Sequence, residues 1–409
     1  MHPVNTSRHL VALACLLALA ACGGGSDGDD AAAADAAAVD ALADSELAAA
    51  SALLDTRSDA LAWDAADAAP DADADADADV DTQASGDTAA ARVTAAALRR
   101  PKAPAAPPPP ATSATVSDAE RIAAAKATAA STRNACAQAR PFYWEIGNAA
   151  GRQVSGSVAD AGTTAPKSTL PISIASASKW LYGGYVAQLR AGALTASDRK
   201  FLSMSSGYAS LGSCSGLASV DACLASGSNG VYTPAYDGVF KYDGGHMEKH
   251  ASLVGLGALT TKALATEFKA KLGSDIALSF SQPLMAGGAV ISTDAYALFL
   301  RKILGGKLQM KSLLGSGPVC TNPATCASAV YAPLPLSESW HYSVGHWVED
   351  DPKVGDGAFS SPGAFGFYPW IDATKTRYGI VARVAPNGAL GSVNCGRLIR
   401  TAWASGVAQ

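Results

Sequence analysis

The chain has 409 residues and a net charge of −5, but that charge is unevenly spread. Residues 23–90 hold eighteen Asp and Glu against a single basic residue, Arg57, whereas residues 135–409 hold 22 Lys and Arg against 16 Asp and Glu. The acidic balance belongs to a tail, and the mildly basic remainder has no basic run interleaved with aromatics, which sets nucleic-acid binding aside.

At the start of the chain, Arg8 and His9 precede the apolar run Leu10–Ala21, too short for a mature membrane span but suited to the core of a signal peptide covering residues 1–21. The run ends in Leu19-Ala-Ala-Cys22 and continues as Gly23-Gly24-Gly25, which resembles the lipobox of bacterial lipoproteins. That resemblance implies a diacylglycerol on the Cys22 thiol. With Gly rather than Asp at position 23, it also implies anchorage in the outer membrane, at its periplasmic face or the cell surface. Residues 22–134 read as a tether: alternating Asp71–Asp79 repels itself, and Pro101–Pro110 is stiff as polyproline II, so little bulky apolar surface is left to bury. Within it, Asp118–Ala130 suits a helix leading into a domain over residues 135–409.

With Cys15 in the signal and Cys22 lipidated, six cysteines remain: Cys136, Cys214, Cys223, Cys320, Cys326 and Cys395. In an oxidising compartment they allow up to three disulfides. The near pairs 214/223 and 320/326 would staple loops and 136/395 would join the domain's ends, among 15 connectivities that spacing leaves open. No spacing matches a zinc site, and neither a metal nor a cofactor is expected.

The domain's elements are read in chain order. Phe142–Ile146, a turn at residues 147–151 and a strand through Val158 suggest a hairpin. Leu181, Tyr185 and Leu189 recur at helical spacing up to Gly192, a suitable C-cap. Further strands are expected at Tyr342–Glu349, Gly363–Asp372 and Tyr378–Val384, followed by a closing helix over Val393–Ala404. The pattern is α/β (α+β): an antiparallel sheet built from both chain ends with an inserted helical subdomain, and a ligand cleft between the two.

Ser176-x-x-Lys179 lies at the start of the first of these helices, where residues three apart share a face. A desolvated Lys amine can take the Ser proton there, while helix N–H groups face a developing oxyanion. Ser197-Asp-Arg-Lys200 matches the same pattern, but its charged surroundings make Ser197 a cap or turn residue. The Gly-x-Ser-x-Gly match at Gly24–Gly28 lies in the tether, where no strand-turn-helix elbow can form.

Taken together, the blocks resemble one family. Ile174-Ala-Ser-Ala-Ser-Lys179 is similar to the nucleophile motif of class C β-lactamases, and Phe201–Gly207 follows it as their "LLTMTSG" turn would. Lys241-Tyr-Asp-Gly-Gly245 lies at their Tyr-x-Asn motif, and Ala286–Asp294, Tyr342–Trp347 and Ser361–Gly366 resemble their later blocks. The resemblance spans residues 141–405. It implies the β-lactamase/transpeptidase fold and a serine hydrolase cleaving an ester or amide of a small or oligomeric substrate through an acyl-enzyme, nearest the esterase and 6-aminohexanoate-dimer-hydrolase branches. It makes Ser176 the nucleophile, Lys179 its activator and Tyr242 the proton shuttle. It puts the Ser176 and Ala364 N–H groups in the oxyanion hole, and Gly244, Ser361 and Gly363 at substrate-binding positions. Gly244 replaces the family's Asn, and Ser361-Pro362-Gly363 replaces Lys-Thr-Gly, which weakens recognition of a substrate carboxylate. The other readings are a penicillin-binding DD-peptidase or β-lactamase, and a non-catalytic envelope lipoprotein of the same fold.

His246 and His250 would share a helix face, with His246 near the cleft mouth, but they match no metalloprotease motif. His341 and His346 flank an expected strand and read as structural, and Trp180, Trp340, Trp347 and Trp370 are candidates for core or cleft wall alike.

Overall fold

The computed structural model describes residues 116–409, so the expected signal peptide, Cys22 and the tether as far as residue 115 lie outside the described residues. The chain begins with helices α1 (Asp118–Ala130) and α2 (Cys136–Ala139), then strands β1 (Phe142–Asn148) and β2 (Arg152–Val158). An insertion follows: β3 (Ile172–Ser173), α3 (Ser178–Leu189), α4 (Ala196–Leu202), α5 (Val220–Leu224), β4 (Phe240–Lys241), α6 (Gly245–Ala251), α7 (Thr261–Leu272), β5 (Leu278–Phe280), β6 (Ala289–Ile291), α8 (Thr293–Leu304) and α9 (Met310–Leu313). The last part holds β7 (Val319–Cys320), β8 (Ala329–Tyr331), β9 (His341–Tyr342), β10 (Trp347–Glu349), β11 (Ala358–Ser360), β12 (Tyr368–Ile371), β13 (Arg377–Ala382) and α10 (Ala389–Ser405).

Both ends of this run build one antiparallel sheet of eight strands in the order β2-β1-β13-β12-β11-β10-β9-β7. The β1–β2 hairpin closes on Asn148, whose side chain accepts the Ala150 and Gly151 N–H groups, as a short polar turn residue can. β1 is buried along nearly its whole length, and so is β13, so side chains on both faces need cover. The helices α8 and α10 supply it by packing against β13. Close pairing at the sheet centre leaves Gly379 no room for a side chain, because a Cβ there would lie 2.1 Å from the Trp370 ring. The expected α+β arrangement is therefore present, and a disulfide between Cys136 in α2 and Cys395 in α10 joins its two ends. The remaining cysteines also pair locally, 214 with 223 and 320 with 326.

The insertion is organised around α3. Its residues Ser178–Ala187 are all buried, so this helix is enclosed on every side rather than amphipathic. Two of its residues are glycines at close approaches: a Cβ on Gly183 would meet the Val344 carbonyl at 2.6 Å, and one on Gly184 would meet Phe299 at 2.9 Å.

Several expectations are corrected. The helix Asp118–Ala130 does not merely lead into the domain. A Ser117/Glu120 capping box starts it, Arg121 donates to the Trp403 and Ala404 carbonyls, and Thr128 accepts the Gln409 N–H, so the packed structure extends upstream of Ala135. The single strand expected over Tyr342–Glu349 is two, β9 and β10, because Gly345 at φ 71° turns the chain between them. Likewise only Tyr368–Ile371 of the expected 363–372 strand is extended, since Gly366 at φ 93° belongs to a turn. The last helix starts at Ala389, four residues before the expected Val393.

Glu349 is the buried charge that fastens the C-terminal helix to the sheet. It is fully buried, accepts from the Tyr368 hydroxyl at 2.6 Å, and pairs with Arg400 at 2.9 Å and Arg397 at 3.1 Å. Burial works to raise its pKa, but Arg400 and Arg397 outweigh that and hold the carboxylate below the usual range. A group depressed in this way contributes stability above its unfolded pKa and loses it as pH falls. Arg400→Met is expected to cost about 3–5 kcal/mol, because it leaves a buried carboxylate underpaired. Urea denaturation at pH 7 would show this, and an unchanged midpoint would refute it.

Candidate active site

Ser176 lies in a 3-10 turn, Ala175–Ala177, that runs directly into α3. The residue before it, Ala175, is held in the left-handed region at φ 45°, a conformation costly for alanine. Neighbouring bonds over-determine the turn. The Ser178 hydroxyl donates to the Ala175 carbonyl at 2.7 Å and accepts from Ala289 N–H in β6 at 3.1 Å. The Tyr296 hydroxyl donates to the Ala177 carbonyl at 3.0 Å. The turn is thus tied to β6 and α8, and the Ser176 side chain is held at the tip of an enclosed helix.

Lys179 is one turn further on. Its Nζ donates to Ser176 Oγ at 3.0 Å and to the Ala286 carbonyl at 2.8 Å, and only 4% of the residue is exposed. Burial pulls the amine down from the usual lysine range to about 7, with Asp243 acting weakly in the other direction. Gly345 makes this packing possible: a Cβ there would lie 2.5 Å from the Lys179 carbonyl, so the turn between β9 and β10 sits directly on α3.

Tyr242 enters from the opposite wall. Its N–H donates to the Tyr331 carbonyl at 3.0 Å, which anchors it where β4 pairs with β8. Its ring lies 4.8 Å from Lys179 Nζ and stacks on Trp347 at 5.2 Å. Burial pushes the phenol up to about 12, and hydrogen bonds from Ser176 and Trp347 favour its ionised form against that trend. The three polar groups of Ser176, Lys179 and Tyr242 therefore form one connected cluster.

The segment after β11 closes the third side. The Ser361 hydroxyl donates to the Ser176 carbonyl at 3.2 Å, and Gly363 approaches so closely that a Cβ would lie 2.0 Å from the Ile174 carbonyl. Ala364 follows in the same tight turn, where Gly366 N–H bonds back to Gly363, and its own carbonyl accepts Gly388 N–H. Gly244 has no free space beside it, since a Cβ there would lie 2.4 Å from Leu211 and 3.1 Å from the Ala286 methyl.

No protein-family model matches the chain, and no curated protein sequence matches it significantly. Solved structures do match. A penicillin-binding protein homologue from Caulobacter crescentus aligns over 70% of this chain and 97% of its own, at 14% identity and a TM-score of 0.52. EstCE1, described as a hydrolase with promiscuous acyltransferase activity, aligns over 70% and 99%, at 11% identity and a TM-score of 0.51. The fold is of the β-lactamase/transpeptidase type.

Within this β-lactamase-type fold the structure brings Ser176, Lys179, Tyr242, Ser361 and Gly363 together and separates them from the other candidates. His246 is not at the cleft mouth: it is fully buried, with Ser206 at 2.7 Å on Nδ1 and the Lys241 carbonyl at 3.0 Å on Nε2, and burial holds it at about 4. His250 is equally engaged, by Tyr182 at 2.9 Å and Asp198 at 3.0 Å, so neither ring has a free nitrogen for a metal. His346 stacks on Trp180 and accepts Gly315 N–H at 3.0 Å, and His341 pairs with Asp350 at the surface. Ser197 is an exposed residue inside α4; the cap is Thr195, in a capping box with Asp198.

Three contributors escaped the sequence reading. The Ala286 carbonyl carries no side-chain signal, and Trp347 was one of four tryptophans without distinction. Asp243, next to Tyr242, lies near enough to Lys179 and Tyr331 to couple with both, and burial raises its pKa.

Only the neutral amine can accept the Ser176 proton. Labelling of Ser176 by a fluorophosphonate is therefore expected to rise with pH up to about 7, the value burial sets for Lys179, and to level off above it. Lys179→Met should slow labelling by roughly two orders of magnitude or more. Labelling rates measured from pH 5 to 9 check both, and a flat profile would sink the assignment.

Proposed function

We propose that this chain is a serine hydrolase that cleaves an ester or amide bond through an acyl-enzyme on Ser176. The observation that carries the reading is the 3.0 Å contact between Ser176 Oγ and the buried Lys179 amine, with the Tyr242 phenol in the same cluster. Neutral Lys179 takes the hydroxyl proton as Ser176 Oγ attacks the substrate carbonyl. Tyr242 passes its phenol proton to the leaving group and regains one from the Lys179 ammonium, and the Ser176 and Ala364 N–H groups stabilise the oxyanion. Water then attacks the acyl-enzyme with the same groups in reversed roles, and the acid is released.

The fold neighbours support a hydrolase of this general class, and the departures at two motifs support the choice of substrate. Ser361 stands where the resembling lactamases place a lysine for the substrate carboxylate, and Leu211 with Ala286 fills the space a side chain at Gly244 would need. A substrate without an obligatory carboxylate suits such a site better than a β-lactam or a D-Ala-D-Ala end. A lipid on Cys22 would hold the enzyme at the outer membrane, and the three disulfides accord with export. The same reading limits the partners to the membrane, through that anchor, and the substrate.

Ser176→Ala is expected to abolish p-nitrophenyl butyrate turnover and the mass increment left by a fluorophosphonate, with the melting temperature unchanged. Retained turnover would refute the nucleophile, and a penicillin adduct on the parent protein would move the reading to cell-wall chemistry. Cys22→Ser is expected to release the protein from membranes of a bacterial expression host and to abolish incorporation of labelled palmitate. A variant still labelled and still sedimenting with membranes would refute the anchor.

A further inference from the structure

We propose that Glu248 is the positioning residue for Lys179, acting through the Met285–Ala286 segment. The proposal rests on the reading of Ser176 and Lys179 as nucleophile and base.

Glu248 lies in α6, the short helix that begins three residues after Tyr242, and it is fully buried. Its Oε2 accepts the Met285 N–H at 2.9 Å, and its Oε1 has no hydrogen-bond partner among the described residues. Around it lies the disulfide of Cys214 and Cys223, whose sulfurs are within 4.8 Å of the carboxyl. Placing a carboxyl in such surroundings is unfavourable, and burial raises its pKa to about 8. An apolar side chain would fill the same space without that cost. What the carboxyl adds is one hydrogen-bond acceptor, and the N–H that donates to it belongs to the residue just before the carbonyl that holds Lys179.

The two bonds act on consecutive residues. Glu248 takes the Met285 N–H from the side of α6, and the Ala286 carbonyl takes Lys179 Nζ at 2.8 Å from the side of α3. Between them, the Ala286 methyl packs against Gly244 at the start of α6. The segment is clamped from both sides, so the acceptor for Lys179 is fixed relative to the helix that follows Tyr242. With Ala286 displaced, the amine has only Ser176 Oγ as a hydrogen-bonded neighbour, and its lone pair is no longer directed toward that oxygen by a second fixed contact. A glutamine would keep a carbonyl for the Met285 N–H, whereas a methionine of similar length would fill the space without one.

The experiment compares the parent protein with Glu248→Gln and Glu248→Met. It follows p-nitrophenyl butyrate turnover and the pH dependence of fluorophosphonate labelling, with folding checked by circular dichroism. In Glu248→Met, kcat should fall roughly tenfold or more at unchanged KM, and the rising limb of the labelling profile should move, because a base displaced by a fraction of an ångström loses rate without losing substrate. Glu248→Gln should restore both the rate and the limb. A folded Glu248→Met with the parent's profile overturns the proposal, and so does a Glu248→Gln as impaired as Glu248→Met. Should Glu248→Met not fold, amide exchange at Met285 in the parent decides: slow exchange supports the bond, and fast exchange overturns it. A parent protein without Ser176-dependent labelling overturns the functional reading itself, whereas a labelled parent with indifferent Glu248 variants overturns only this inference.

Discussion

The removal of Lys179 from water is the constraint on which the rest of the arrangement depends. An ammonium in bulk water would be charged at neutral pH and of no use as a base; at 4% exposure its charge is disfavoured until the free amine is populated near pH 7. That condition dictates the surroundings. The helix carrying the lysine is enclosed along Ser178–Ala187, and side chains are absent where it meets its neighbours most closely, at Gly183 against the Val344 carbonyl, at Gly184 against the Phe299 ring and at Gly345 against the Lys179 carbonyl. Among the described residues, the amine's hydrogen-bond acceptors are Ser176 Oγ and the Ala286 carbonyl. Desolvation lowers the pKa, and two well-placed acceptors keep the buried amine from being an unsatisfied polar group.

This enclosure can be built only where the two parts of the chain meet. Ser176 and Lys179 come from the insertion, whereas Gly345, Ser361 and Gly363 come from the turns of the terminal sheet that press onto them. A sheet that shifted on the insertion would open a route for water to Lys179. The Cys136–Cys395 disulfide ties α2 to α10, and the Glu349 cluster with Arg397 and Arg400 ties α10 to the sheet whose turn at Gly345 meets α3. Stability and chemistry are linked through that packing rather than through any shared residue.

The fold and the central pair were legible in the sequence because they are written in local patterns. A run of bulky apolar residues ending in a Gly-Asn turn marked the first hairpin, and the Ser176-x-x-Lys179 spacing, ambiguous alone because Ser197–Lys200 repeats it, was singled out by its apolar helical surroundings and the blocks that follow. The errors fall where geometry depends on a distant partner. Tyr342–Glu349 has the apolar character of one strand, yet Gly345 must turn because the Lys179 carbonyl occupies the space a side chain would fill. The pattern places His246 near the cleft mouth, and its burial shows only once Ser206, forty residues away, and the Lys241 carbonyl are seen to take both ring nitrogens. Backbone acceptors such as the Ala286 carbonyl leave no mark in any sequence, and Glu248 reads as an ordinary helical acid until its burial and its bond to Met285 are known.

The charges around the Ser176, Lys179 and Tyr242 cluster bear on what it could accept. A site that recognises an anionic substrate needs a fixed cation that stays charged while the catalytic lysine is neutral. Ser361, at the lysine position of the resembling motif, supplies none, and Lys241, the cation beside Tyr242, is turned away, donating to the Ala209 carbonyl at 3.0 Å and lying over the Tyr236 ring. The nearest carboxylate, Asp243, bonds to Gly245 N–H at 2.8 Å and would repel a substrate anion rather than attract it. Leu211 meanwhile presents an aliphatic group beside Gly244, and Tyr331 and Val330 are among the exposed apolar side chains at the β8 edge that anchors Tyr242. An anion would enter such a cleft by giving up water for a carboxylate and hydrocarbon, an exchange that is unfavourable on both counts. On the proposed reading, a neutral ester or amide would give up little hydration and gain apolar contact, so the departures at positions 244 and 361 that weaken the resemblance to lactamases would redirect the substrate range of an acyl-transfer site.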